Sequence, residues 1–347
     1  MDPVSHLLFG RTVALTIRRR SEGKGVTAAL ILGSILPDAD AALAPRTFDL
    51  YLRAHASGTH SLVGTIVEAF VLAVVLHALV RGSRFSTLLA GSWVGLVGHI
   101  FWDLADGSDI NVLKPFSAAA FGWHLVAMGE PIVLSVLAAA VLSAWRWPLR
   151  AQRIAVAAVV TLGVLLAVKT TSQKWARARY VASIISEAPE VVEIAPEVGR
   201  LFAWRIYDRV GIRVRAWRVD GRLGSVSLAF ERHDARNAPA VALSRDLPVV
   251  RTFLALSKIP FVRVEHDGAH RLVLWSDVRM CSTAGCNLSF GAAFDAKMTP
   301  LYQVIQIGRF SQRRALPADK SLHRQDERVR ASSQPQAETL TRRAASQ

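Results

Sequence analysis

His99 and Asp103 stand four residues apart in Gly98-His99-Ile100-Phe101-Trp102-Asp103-Leu104, at the end of a long apolar run. On a helix this spacing puts an imidazole nitrogen and a carboxylate oxygen one turn apart on one face, where both can reach a single cation. A lone pair of this kind is ordinarily a plain polar contact. It gains weight from His6, Asp38, Asp40 and His60, each also at the end of an apolar segment. Asp38 and Asp40 follow Pro37, which restricts its preceding residue and stops or kinks a helix, so both acids are expected on irregular backbone. His60 lies in Gly58-Thr59-His60-Ser61, where Thr59 or Ser61 is the expected cap of the next helix. His124 and Glu130 follow around Gly129 and Pro131. Imidazoles and carboxylates together are the donor set of a metal ion such as zinc.

The elements that must position these residues are apolar runs. The first ends at Arg18-Arg19-Arg20, with Asp2 ahead of it, and reads as a short helix rather than a signal peptide, whose charges come first. Further runs cover Val26 to Leu36, Leu62 to Val80, Phe85 to Leu104, the neighbourhood of Trp123 to Ala144, and Ile154 to Val168. The fold expected is an α-helical polytopic membrane domain over residues 1–170, a small β-rich extramembrane domain over 171–310, and a disordered basic tail over 311–347. The β reading rests on period-two alternation in Ile212 to Val219 and Ser225 to Phe230, with further strands expected at Phe261 to Glu265, Arg271 to Trp275 and Leu301 to Ile307. Basic loops at Arg18 to Lys24, Arg81 to Arg84 and Arg146 to Arg153 are expected in the cytoplasm. The eight candidate residues then fall together on the outer face, although the basic stretch Lys169 to Arg179 runs against that orientation. Glu68 and His77, inside the third run, are expected to form a neutral, hydrogen-bonded pair in the bundle interior.

Composition agrees with a membrane half and a polar half. The mean hydropathy of the chain is +0.28 despite 42 Lys and Arg among 347 residues. The net charge of +15 brings nucleic acid to mind, but no helix-turn-helix or zinc-finger pattern carries the basic residues to a groove, and no nucleic-acid partner is expected. Two cysteines, Cys281 and Cys286, are too few for a disulfide scaffold or a four-cysteine zinc site. They close a small disulfide loop in an oxidising compartment and are free thiols otherwise.

Taken together, Met1-Asp2-Pro3-x-x-His6, Leu36-Pro37-Asp38-Ala39-Asp40, Gly58-Thr59-His60-Ser61, His99-x-x-x-Asp103 with Gly107, and Lys114-Pro115-Phe116-Ser117 resemble the bacterial inner-membrane, metal-dependent hydrolases of the YdjM type. Leu201 to Arg205 and Trp275 to Arg279 extend the likeness loosely into the later half. That family is in turn similar to the zinc-dependent phospholipase C and single-strand nuclease group, which implies a phospholipase C-like helical bundle and a cluster of two or more zinc ions. Carried over by motif, His6, Asp38, His60, His99 and Asp103 are implied as ligands, with His124 as a sixth and Asp40 as an alternative ligand or the hydrogen-bond partner of one; Asp40 or Glu130, where uncoordinated, is the carboxylate that serves as base or positions the water. Here the sequence departs from the group's second His-x-x-x-Glu pair, since Met128 follows His124 at that spacing and Glu130 comes two residues later. The activity implied is phosphoester hydrolysis by zinc-bound hydroxide, whose water has a pKa near 7. Location at a bacterial inner membrane, with the site and the C-terminal domain on the periplasmic side, points to membrane lipids or lipid-linked phosphoesters as substrates. The alternative is a non-enzymatic metal-binding or transport protein, although a transporter places its ligands near the bilayer midplane rather than at segment ends.

Overall fold

The computed structural model describes residues 2–17, 23–43, 55, 58–107, 109–184, 188–268 and 270–316. Its first part is helical: α1 (Pro3–Thr16), α2 (Gly23–Gly33), a 3-10 turn over Leu36–Leu43, α3 (Leu62–Leu79), α4 (Phe85–Ala105), α5 (Pro131–Arg146) and α6 (Ala151–Ser183). Asp2 caps α1 by accepting from the Ser5 amide, and Ser61 caps α3 by accepting from the Gly64 amide at 2.9 Å. Among the described residues three helices are long and apolar enough to cross a membrane: Leu62–Leu79, Phe85–Ala105 and Pro148–Ser183, the last including a 3-10 turn ahead of α6. An apolar face on α3 carries Ile66, Val67, Phe70, Val71, Val74 and Val75, all exposed, as expected of a surface solvated by lipid. α1 and α2 are shorter than a bilayer-spanning helix requires.

Small residues set how closely the helices approach. A Cβ on Gly33 would sit 2.5 Å from the Ser92 carbonyl oxygen, and one on Gly95 would sit 2.5 Å from that of Leu30. The backbones of α2 and α4 therefore touch, as small residues permit when helices associate in lipid. Leu30, Leu88 and Leu96 of these two helices are fully buried.

The chain after α6 is β-rich. Strands β1 (Val191–Pro196), β2 (Ala203–Val210), β3 (Arg213–Asp220) and β4 (Ser225–His233) form an antiparallel meander in that order, with Ile206 opposite Trp217. Two short helices, α7 (Pro239–Arg245) and α8 (Pro248–Leu256), lead into β5 (Pro260–Asp267) and β6 (His270–Asp277). Next come the two-residue pair β7 (Cys281–Ser282) and β8 (Gly285–Cys286), closed by a Cys281–Cys286 disulfide, then β9 (Leu288–Phe294), β10 (Pro300–Ile307) and β11 (Phe310–Arg314). The second sheet has the order β11-β10-β9-β6-β5, all antiparallel. Its apolar face is covered by α7 and α8 through Val241, Val250 and Phe253 against Trp275, Phe290 and Phe294. The first sheet packs Ile194, Trp204 and Ile206 on the far end of α6 at Ala176 and Tyr180. Asp208 ties the same joint, accepting from Tyr180 and, at 2.8 Å, from Arg215.

Several expectations need correction. Residues 118–130 are not helical, and the fifth helix starts only at Pro131, because Gly129 takes a φ of 67° and the proline supplies the first helical position. The tail expected to be disordered from residue 311 begins as strand: Ser311–Arg314 pair with β10, their backbone satisfied by an open sheet edge. Residues 317–347 lie outside the described residues. Glu68 and His77 do not pair: His77 is exposed and bonds the Ser83 carbonyl at 3.2 Å, whereas Glu68 lies about two and a half turns away, in the first half of α3.

Candidate metal centre

The helices alternate in direction, so the start of α1, the end of α2, the start of α3 and the end of α4 meet at one end of the bundle. That end gathers His6, Asp38, His60, His99 and Asp103. Asp103 stands at the centre. Its Oδ1 is 3.1 Å from His6 Nε2, and its Oδ2 is 3.3 Å from His60 Nε2 and 3.1 Å from His99 Nε2. Asp38 Oδ1 lies 3.6 Å from both His60 Nε2 and His99 Nε2, and those two nitrogens are 3.2 Å apart. A tetrahedral zinc with bonds of about 2.0–2.1 Å spaces its donors by about 3.3 Å. The separations between 3.1 and 3.6 Å match that edge.

The far nitrogens of the rings explain why Nε2 points inward. His99 Nδ1 is 2.8 Å from the Ser34 carbonyl, which the close approach of α2 to α4 delivers, and His60 Nδ1 is 2.9 Å from Thr59 Oγ1. Such outer partners fix ring orientation and leave the other nitrogen free to ligate. His6 stacks on His99 with centroids 3.9 Å apart, and its Nδ1 is buried with no partner among the described residues. His6, His60, His99 and Asp103 are all nearly inaccessible to solvent. Burial alone would depress the His60 pKa, but hydrogen bonds to Asp103 and Asp38, and their charges, push it up to about 9. Asp38, outside the spanning segments, is held below the usual carboxylate range; burial opposes this, and the bond to His60 with the charge of His99 outweighs it.

A second group of donors adjoins the first. Asp38, His55 and His60 bring one ligand atom each within 4.8 Å of one another. His55 Nδ1 is 3.3 Å from Asp40 Oδ1, and Asp40 Oδ2 accepts from Thr59 at 3.1 Å. Asp40 is thus occupied in holding two neighbours of the cluster. His55 was not among the expected ligands, and its position in the sequence gave no spacing signal.

Glu68 is the other residue that sequence reasoning misplaced. It lies two turns into α3, within electrostatic reach of His60, His99 and Asp40, and its Oε2 is buried with no hydrogen-bond partner among the described residues. An ionisable group at membrane depth was the available signal.

His124 and Glu130 do not join the cluster. After α4 the chain folds back over it, with the Leu125 and Val126 amides both bonding the Ala105 carbonyl. Trp123 packs edge-on against Phe101, and Phe101, two residues from both His99 and Asp103, points to the opposite side of α4. His124, at a φ of 51°, therefore faces Asp109 at 3.4 Å. Glu130 precedes α5 and accepts from the Gly199 amide at 3.0 Å. Asp109 also lies 3.5 Å from Lys258 and 3.3 Å from Arg279, both in the β-rich part. Burial would raise its pKa, but His124, Lys258 and Arg279 hold it down at about 2. Asp277, in the later segment of the resemblance, is structural: it accepts from Ser257 Oγ at 2.7 Å and from the Arg279 amide at 2.9 Å.

A family model described as YdjM inner membrane protein matches residues 1–176, which contain every residue of the cluster. The chain belongs to that family. It is also similar to the "Uncharacterized protein YfhP" of Bacillus subtilis (strain 168), at 26% identity over 115 residues, 33% of this chain and 35% of that protein. The chain thus spans about a third of that relative's length. No solved structure matches.

Proposed function

We propose that this protein is a membrane-bound, metal-dependent hydrolase of phosphoesters, with zinc as the metal and a lipid or lipid-linked molecule as substrate. The observation that carries the reading is the convergence of three Nε2 atoms on one carboxylate, with a second carboxylate alongside, at spacings suited to a cation. Without a cation, packing two ring nitrogens 3.2 Å apart in a buried site demands a proton between them. His60, His99 and Asp103 would hold one ion, and His55 and Asp38, with His60 shared, would help to hold a second. Bound zinc supplies a hydroxide at neutral pH and stabilises charge on phosphoryl oxygens.

The chain's own groups have separate tasks in this reading. Glu68, partnerless and beside the donors, is the carboxylate placed to accept the proton of the attacking water. Asp40 is a positioning residue that orients His55 and Thr59. Glu130 and His124 have no part in the chemistry. A transport role lacks support, since the donors sit at helix ends rather than at a helix break near the midplane.

For topology, we infer a multi-pass inner-membrane protein with the cluster and the β-rich part in the periplasm. Support comes from Arg81 and Arg84, which lie in the turn between α3 and α4, at the end away from the cluster. A reporter fused after Gly308 should be active only outside the cytoplasm, and cytoplasmic activity would reverse the orientation. For function, zinc should co-purify with the detergent-solubilised protein and be lost from His99→Ala/Asp103→Ala, along with hydrolysis of a panel of lipid phosphoesters. Unchanged metal in the double variant would refute the site.

A further inference from the structure

On the side of α4 away from the cluster lies a cavity of about 820 Å³, between the helices and the first β-sheet. That volume falls within the range of about 300–1,000 Å³ usual for small-molecule sites. Its wall changes character along α6. Leu166 and Ala167 line its apolar end, and Thr170, Gln173 and Arg177 line its polar end.

The length of α6 places that change at the bilayer surface. Ile154 to Val168 is its unbroken apolar stretch, about 22 Å at 1.5 Å per residue against the roughly 30 Å hydrocarbon core, and the first charge after it is Lys169. Leu166 and Ala167 therefore stand at the edge of the hydrocarbon, and Thr170 to Arg177 stand in the head-group layer. Exposed Phe101 and Trp123, packed edge to face beside the cavity mouth, are the aromatic residues expected at that level.

The cavity also carries charges of both signs. Asp109 is occupied by His124, Arg279 and Lys258. Arg177 and Glu193 also line the wall, and neither side chain has a hydrogen bond or close ion pair among the described residues, although the Glu193 charge also acts on Arg279. Exposed Arg177 and half-buried Glu193 above an apolar slot complement a ligand with a phosphate, an amine and an acyl chain. We propose that this cavity is a binding site for a zwitterionic aminophospholipid of the phosphatidylethanolamine class. Arg177 takes the phosphate, Glu193 takes the ammonium, and a chain lies along Phe101 and Leu166. The site is separate from the metal cluster and does not rest on the proposed hydrolysis.

Trp123 reports on occupancy. The full-length protein would be reconstituted in phosphatidylcholine vesicles containing brominated phosphatidylethanolamine, brominated phosphatidylcholine or brominated phosphatidylglycerol at equal mole fraction. The Trp123 signal is isolated by subtracting the Trp123→Phe variant. Brominated phosphatidylethanolamine should quench Trp123 at about threefold lower mole fraction than brominated phosphatidylcholine, the scale of one partly exposed ion pair. Exposed Trp93, on another part of α4, should show no preference. Arg177→Gln/Glu193→Gln should abolish the preference, and Arg177→Lys, with Glu193 intact, should retain it. Equal quenching by all three lipids, stronger quenching by phosphatidylglycerol, or a preference surviving in the double variant would each overturn the proposal.

Discussion

His60 and Ser61 are adjacent, yet they do different work, and separating them tests the metal centre most directly. His60 Nε2 faces Asp103, Asp38 and His99 at 3.2–3.6 Å, whereas Ser61 Oγ caps α3 through the Gly64 amide. A structural zinc contributes about 10–16 kcal/mol of binding free energy over four ligands, so one ligand accounts for about 2.5–4 kcal/mol. His60→Ala should therefore weaken zinc binding by about two to three orders of magnitude. Ser61→Ala removes only a cap, with a cost of about 1 kcal/mol in stability, and should leave zinc affinity unchanged. His77→Ala, an exposed histidine bonded only to the Ser83 carbonyl, serves as the control for losing an imidazole from α3. The assay is competition for zinc with a chromophoric chelator on the detergent-purified full chain, with thermal unfolding in parallel. Wild-type affinity in His60→Ala, or equal loss of affinity in Ser61→Ala, would show that the cluster is a polar core and not a metal site.

Three further outcomes follow from the same geometry. Glu68→Gln should keep the metal content and lower phosphoester turnover by about 10²–10⁴, the usual contribution of a general base; metal loss instead would make Glu68 a ligand. Gly33→Ala should force α2 from α4 at the Ser92 carbonyl, at a cost of about 1–3 kcal/mol, and should weaken zinc binding because the Ser34 carbonyl holds His99; unchanged unfolding would deny the close contact. Asp109, held at about 2 against an ordinary 3.8, contributes to the joint between helices and β-rich part fully above about pH 4, and this is lost as pH falls towards 2. Limited proteolysis should thus show the joint opening in acid, and Asp109→Asn at neutral pH should give the cleavage pattern that the wild type gives only in acid.

The sequence by itself determined the helices and most of the donors. Long apolar runs need no tertiary contact to declare a membrane helix, and the i, i+4 pair His99 and Asp103 shares a face on any helix. Period-two alternation likewise announced the β3–β4 hairpin. Tertiary structure alone decided which ends met. His124 and Glu130 looked equivalent to the other donors in one dimension, but the loop after Ala105 crosses to the Phe101 side of α4, and a half-turn of helix separates them from the cluster. His55 and Glu68 were recruited by proximity across elements, which no local spacing encodes. The inward aim of His99 also depends on a carbonyl sixty-five residues earlier, delivered by glycines that let two backbones touch. Residue type and local period fixed what could ligate, and the packing distance between helices fixed what does converge.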